Sequence, residues 1–527
     1  MPLDLDTLPT DAADLRRLVL ALAEERDAAT AERDVEKDRA DRLEHLLAQL
    51  KRLMFGRRSE KLDPDQLALS FEDLEQSIAA VHAEMDAAAP VERRRRRTGD
   101  ERASLPKTLP EIERVIDVAP EDKVCPCCNG ERHVIGEDVS RRLDVVPVQY
   151  RILVTRRPRY GCRACETGVV QAPAPEHVVA CGLPTEALVA QVLIGKYADG
   201  LPLYRQARIL ARQGIEIDRS VLAGWVGHAC WWLKPLYDRL RLHLLSSAKL
   251  YADETRLPVL DPGRGRTKTA QLWAYARDDR PWGGGDPPAV AYVYAVGRGA
   301  DHARDHLGGF AGILQVDGYG AYKSLVTAKA GAALPLPITL AFCWSHLRRK
   351  FYELHVKQGS PVAEEALRRI AELYRIESEI RGQAAEERQA KRAARTRPLV
   401  ESMRTWIDAQ LARVSGKAPL AEILRYAVNH WDGLCVFLDD GRVEMDTNAV
   451  ERCIRPVTLV RKNSLFAGSD GGGDHWAIVA SLIETAKLND VEPFAYLKSV
   501  IETIVTDFPA CRLDELLPWN WEAAVNG

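Results

Sequence analysis

The sequence predicts a multidomain α+β protein, and three observations carry that expectation. Leucines near the N-terminus share one heptad register, two CxxC pairs stand 33 residues apart, and a later series of strands holds one aspartate in its first member and another at the end of its fourth. At 527 residues the chain is too long for one compact core, and roughly 100–200 residues per domain gives three or four domains. A content of 46% hydrophobic and 28% charged residues excludes wholesale disorder and a collagen-like fibre. No apolar run reaches the ~18–20 residues of a membrane span. The acidic start MPLDLDTLPT has no apolar core of a secretory signal, and eleven cysteines, an odd number, do not suit a disulfide scaffold. A cytosolic, reduced protein is expected.

Net charge is −3, but it is unevenly spread. Residues 1–90 carry 12 basic and 21 acidic side chains, which leaves 61 and 55 for the rest. An acidic arm on a mildly basic body permits a polyanionic partner.

Along the chain, Leu15, Leu18, Leu22, Leu43, Leu46, Leu50 and Leu53 keep one a/d register across a polar middle. This reads as a coiled-coil helix for self-association; its alternative is a charged helix packing its leucines on its own body. Helical character continues to about residue 90. Arg93–Arg97 opens a basic linker over 91–118, which suits a solvated charge run or a sequence-blind phosphate contact.

Residues 119–175 form the next module. Cys125 and Cys128, with Cys162 and Cys165, can close a four-sulfur cage around one structural zinc ion, with strands such as Arg151–Thr155 between them. Cys127 is spare. A redox CxxC is the competing reading.

Residues 176–245 read as helical. Helices over about Leu203–Arg212 and Val221–Leu233, the second capped by Ser220, flank a Gly-bearing turn and suggest a helix-turn-helix or an ordinary helical hairpin.

From Lys249 the texture turns to strands, at Leu250–Leu260, Gln271–Ala276, Ala289–Val296, a run ending at Asp317-Gly318, and Thr339–Phe342, with a helix near Ala300–Leu307. Three strands, a helix, then a strand ending in Asp is the order of an RNase H-like sheet. It is interrupted by a helical insertion over about 355–440. The α/β domain is expected over 246–470 and a small C-terminal domain over 471–527. No Walker A motif is present.

Asp253 in the first strand and Asp317 at the end of the fourth would be neighbours, with Glu451 from a later helix as third acid. Hard oxygen ligands suit two Mg2+ or Mn2+ ions that serve phosphodiester exchange. Asp317-Gly318 is also a favoured turn pair, Asn448 and Glu451 also have capping-box spacing, and Glu254, Glu444 or Asp446 could replace a member. Arg348, Arg349, Arg452, Arg455, Arg461 and Lys462 are candidate DNA contacts, Arg455 sharing the helix face of Glu451. Cys343 and His346 form a CxxH pair without an evident partner pair, and read as buried strand-end structure.

FGRRSEKL (55–62), LPLYRQ (201–206), ADET (252–255), VDGY (316–319), CWSHLRR (343–349), TNAVER (447–452), RKNSLFAGS (461–469) and TAKL (485–488) together resemble the insertion sequence 66 family of DDE transposases. The resemblance covers nearly the whole chain, in order. It implies a leucine zipper, a zinc-binding domain, an RNase H-like catalytic domain whose acidic triad falls on Asp253, Asp317 and Glu451, and a small C-terminal domain. Thr447 departs from the Asn of much of the family. The implied activity is cutting DNA at the ends of a mobile element and joining the freed 3′-OH ends to target DNA. The implied setting is a bacterial cytoplasm at the nucleoid, with double-stranded DNA, further copies of the chain and accessory proteins as partners. A catalytically inactive zinc-containing DNA-binding regulator and a structure-selective nuclease are the alternatives.

Overall fold

The computed structural model describes residues 111–146, 149–163, 168–180, 182–261, 263–327 and 336–522, with Asp11, Gln76, Ala79 and Ala80. The coiled coil expected over 15–53, the Arg93–Arg97 run and Cys165 lie outside the described residues. The chain divides into two compact units, 1–61 with 262–265, and 62–261 with 266–527. The second contains every element below.

A small sheet comes first, built from β1 (Glu111–Val115), β2 (His133–Val146), β3 (Gln149–Gly161) and β4 (Val169–Gln171). β2 and β3 form a long antiparallel hairpin, and β1 (parallel) and β4 (antiparallel) share the other edge of β3. The alternation read in the sequence is that of β3, where Ile152 and Val154 are buried. The module is thinly covered, since Val115, Val134, Ile135 and Val169 are all at least half exposed.

Three helices follow: α1 (Glu186–Tyr197), α2 (Leu203–Ala211) and α3 (Arg219–Leu245). Two expectations are corrected here. The cap of α3 is Asp218, whose carboxylate accepts from the Ser220 amide at 2.8 Å and from the Ser220 hydroxyl at 2.6 Å. A charged acceptor at the positive end of the helix serves better than a hydroxyl. The helix also runs on through Pro235 to Leu245, well past the expected end at Leu233. Leu222, Ala223, Trp225, Val226, Ala229 and Leu233 are buried, and the helix packs on α1, α2, the strands behind it and the C-terminal helices. The opposite face, along Val221, Gly224, His228, Trp231, Pro235, Asp238 and Leu242, stays partly or fully exposed.

The second sheet is built from β5 (Lys249–Asp261), β6 (Arg266–Arg277), β7 (Ala289–Ala295), β8 (Gly312–Val316) and β9 (Ile338–Phe342). Its order is β7-β6-β5-β8-β9; β5, β6 and β7 are antiparallel, and β8 and β9 run parallel to β5. Helices α4 (Ala300–His306) and α5 (Gly320–Val326) provide the crossovers that parallel pairing requires.

A helical run occupies the expected insertion, but it begins at the end of β9 and not near 355. Its members are α6 (Trp344–Gln358), α7 (Pro361–Ile380), α8 (Ala385–Lys391), a π-helical turn at Arg392–Thr396, α9 (Arg397–Arg413), α10 (Pro419–Asn429) and α11 (Trp431–Asp439). α7 shows why it folds: Ala363, Ala366, Ile370, Leu373, Ile376 and Ile380 make one buried stripe between charged residues. Two fully buried arginines hold the insertion, one binding its helices together and the other joining it to the sheet. Arg392 holds Glu377 through two bonds of 2.9 and 2.6 Å, and Arg388 reaches Glu444 at 2.5 Å. The Glu444 carbonyl in turn accepts from Gln315 of β8 at 2.8 Å, two residues before Asp317.

α12 (Asn448–Ser464), α13 (Asp470–Leu488) and α14 (Pro493–Ile504) complete the unit. α13 covers the edge strand β7. Its Ser481 and Thr485 hydroxyls accept from the Tyr292 and Val290 amides at 2.8 and 3.1 Å, so backbone donors that would be open to another chain are paired. Among the described residues no helix is long and apolar enough to cross a membrane.

Candidate active site and metal centres

β5 and β8 pair in parallel with Tyr251 opposite Gln315. Two residues on, Asp253 and Asp317 stand at the same level of that register, and side chains two apart share a face. Asp317 is the first residue beyond β8. Its Oδ1 accepts from the Tyr319 amide at 2.8 Å and its carbonyl from the Tyr426 hydroxyl at 2.9 Å. The turn needs Gly318, which has φ +95° and where a Cβ would lie 2.8 Å from the Tyr426 hydroxyl. Turn-forming and site-forming roles therefore coincide at Asp317.

Glu451 sits in the first turn of α12, which packs on β5. Its Oε1 accepts from the Thr447 hydroxyl at 3.0 Å, while Asn448 bonds Asp446, so the capping-box pairing of Asn448 and Glu451 is not formed. Asp253 feels the charge of both other acids. Burial, then the charges of Glu254, Asp317 and Glu451, push the Asp253 carboxyl up to about 7, against a bond from the Glu254 amide that favours the ion. A half-buried carboxylate set of this kind fits divalent cations, which its hard oxygen donors would hold and which would neutralise it.

The other acids weighed from the sequence have structural partners. Glu254 points to the opposite face of β5, where Arg298 (Nε at 2.6 Å) and the Tyr322 hydroxyl (2.9 Å) hold it. Glu444 is paired with Arg388, and Asp446 accepts from the Asn448 backbone and side chain at 3.1 and 2.7 Å. Arg298 and Tyr322 escaped the sequence reading, for no spacing rule marks a residue that works by orienting a neighbour, and Thr447, expected only as a family departure away from the ligands, bonds Glu451 at 3.0 Å.

The Asp253 shift has a consequence for stability. Its folded pKa lies above the ordinary 3.8, so the cost of ionising it is absent below about pH 4, grows as pH rises, and is complete above about pH 7. Asp253→Asn is expected to stabilise the Mg2+-free protein by on the order of 2 kcal/mol at pH 8, with the gain vanishing toward pH 4. Thermal melts of both proteins across that range check it; a gain that grows toward acid pH would contradict it.

The basic residues divide. Arg455 and Lys462 are exposed, and Arg452 is open apart from a 4.0 Å approach to Asp278. Arg452 and Arg455 line a cleft of about 290 Å³ with Ala198–Gly200 and Asn463. Arg348 and Arg349 are exposed on α6, Arg349 pairing with Glu353 at 3.1 Å. Arg461 differs from the expectation. It is half-buried and donates to Thr255 Oγ1 at 2.9 Å and to the Arg256 carbonyl, so it ties α12 to β5.

In the first sheet, Cys125, Cys128 and Cys162 gather at the open end of the β2–β3 hairpin, all three sulfurs within 4.8 Å of one another. The Asn129 amide donates to the Cys125 carbonyl and the Cys125 amide to the Gly130 carbonyl, each at 2.9 Å, which forms the knuckle. Three converging thiols fit zinc. Cys127 is outside the cluster.

Comparison with known proteins agrees with this organisation. Residues 181–475 match the family model described as "Transposase IS66 family", 122–166 the zinc-finger binding domain of transposase IS66, 42–114 a model described as "Transposase C of IS166 homeodomain", and 481–519 the IS66 C-terminal element. Two uncharacterized proteins of Sinorhizobium fredii, y4qI and y4jD, are each 44% identical over 99% of both chains, and y4hP of the same organism is 37% identical over 92% of this chain and 89% of its own. With the family model covering more than half its length and these relatives matching it end to end, the chain belongs to the IS66 family of transposases.

Proposed function

We propose that this transposase cuts DNA at the ends of its own element and joins the freed 3′-OH ends to target DNA by phosphodiester exchange, with Asp253, Asp317 and Glu451 as the cation-holding carboxylates. The observation that supports this reading is the placement of Asp253 on β5 and of Asp317 just past the end of the adjacent parallel strand β8, with Asp317 and Glu451 near enough to raise the Asp253 pKa. The sheet order β7-β6-β5-β8-β9, antiparallel on one side of β5 and parallel on the other, supports an RNase H-like domain. Bound Mg2+ or Mn2+, two ions in this reading, supplies the positive charge that attacking and leaving oxygens need. The chain's part is to hold the acids: Thr447 orients Glu451, the Tyr319 amide orients Asp317, and the Glu254 amide orients Asp253. Duplexes carrying candidate element ends are the test. Divalent-cation-dependent nicking at the end and joining to a second duplex are expected, and binding without either reaction would support the inactive regulator.

Arg452, Arg455 and Lys462 would grip phosphates along α12, with Arg348 and Arg349 extending the surface from α6. Arg455→Ala and Lys462→Ala should weaken binding to end and random duplexes alike, and each should flatten the dependence of log K on log salt by about one unit. Affinity measured against salt decides it; an unchanged slope in both variants would make these side chains structural. Arg461→Ala should act on stability instead.

A further inference from the structure

The CxxH pair at the end of β9 acquires a partner in the fold. Cys343 caps the N-terminus of α6 and is buried, and His346 lies one turn on. The Trp344 amide donates to the Met445 carbonyl at 3.0 Å, which sets the start of α6 beside the start of α12. Ligand atoms of Cys343, His346 and Glu451 then all lie within 4.8 Å of one another, with His346 Nδ1 3.8 Å from Glu451 Oε1.

Three features separate this cluster from a chance contact. His346 Nδ1 is a buried nitrogen without a hydrogen-bond partner, and 3.8 Å is too long for a bond to Glu451 but close to the separation of two donors sharing one ion. Thr447 serves two of the members, its amide donating to Cys343 Sγ at 3.3 Å and its hydroxyl to Glu451 Oε1 at 3.0 Å. Outer bonds of this kind orient metal ligands. Finally, Glu451 and His346 keep 40% and 31% of their side-chain surface exposed, so an entry path and a fourth position for water remain.

We propose that Cys343, His346 and Glu451 bind one borderline-soft cation of the Zn2+ class, separate from the cysteine cage of the first sheet. Thiolate, imidazole and carboxylate are the donor types such an ion takes, and two anionic donors match its charge. On binding, the Cys343 thiol releases its proton to solvent and no redox change occurs. The consequence rests on the reading of Glu451 as the third carboxylate: an ion here engages Glu451 Oε1 and withdraws it from the Asp253–Asp317 cations, so bound Zn2+ opposes DNA cleavage.

The test is metal analysis of the full-length protein, equilibrated with Zn2+ and freed of excess. Wild type should retain one more ion per chain than Cys343→Ser or His346→Ala, with all three folded by circular dichroism. Co2+ in place of Zn2+ should add a visible band in wild type that both variants lack. His346 is partly exposed, so its variant keeps the test open should the buried Cys343→Ser fail to fold. Equal metal content in wild type and folded His346→Ala overturns the site. Strand-joining by Asp253→Asn is read in parallel: full joining there overturns the triad whatever the zinc count, and lost joining with equal zinc counts overturns this site alone.

Discussion

Asp253→Asn, Asp317→Asn and Glu451→Gln should each lower end cleavage and strand joining by roughly a thousandfold or more, with affinity for element-end DNA nearly unchanged. Each substitution keeps the shape of the side chain and removes the charge that holds a divalent cation. Losing several kcal/mol of charge stabilisation in the transition state corresponds to a loss of that size. The three should not multiply when combined, because an ion lost through one variant cannot be lost again. The fold should survive, since Asp253 carries a cost when ionised and Glu451 is bonded only through its Thr447 neighbour. Gel-based cleavage and joining, beside an affinity measurement on the same duplex, distinguishes these expectations. A variant that joins at the wild-type rate removes its residue from the triad.

The second large effect concerns zinc. The small sheet has little apolar cover, with Val134 and Ile135 each about half exposed, so its own burial contributes little to its stability. Three of its cysteines already converge, and Cys165 is read as the fourth ligand. A structural zinc in such a module contributes about 10 kcal/mol or more, nearly all of it folding energy. Cys162→Ser with Cys165→Ser should therefore lose one ion per chain and leave 119–175 open to proteolysis, while α1 and the second sheet stay folded. A protease-resistant module in the metal-free double variant would show that the sheet stands without the ion.

Much of this fold is legible in the sequence because its cues are local and periodic. The strands of the second sheet fall within a residue or two of their expected positions, except that β6 extends five residues earlier; alternation and turn residues mark them. The fourth strand ends at Val316, which makes Asp317 a turn residue at a strand tip, where a ligand can still be reached. What sequence could not give is set by packing between distant segments. Which apolar positions of α3 are buried, Leu222 and Trp225 but not Val221 or Leu242, is decided by the elements packed around it. Arg461 belongs to the same basic run as Lys462, yet the ~100° between neighbouring helix positions turns it against the Thr255 hydroxyl. Cys343 and His346 had no visible partner because Glu451 lies about a hundred residues away, across the whole helical insertion.

The most direct measurement asks whether Asp317 holds a cation during the reaction. Replacing it by cysteine exchanges a hard oxygen ligand for a soft sulfur, which Mg2+ avoids and Mn2+ tolerates better. Strand joining by Asp317→Cys should be absent in Mg2+ and partly restored in Mn2+, with the wild type active in both. Wild-type joining by Asp317→Cys in Mg2+ would contradict the account at its centre.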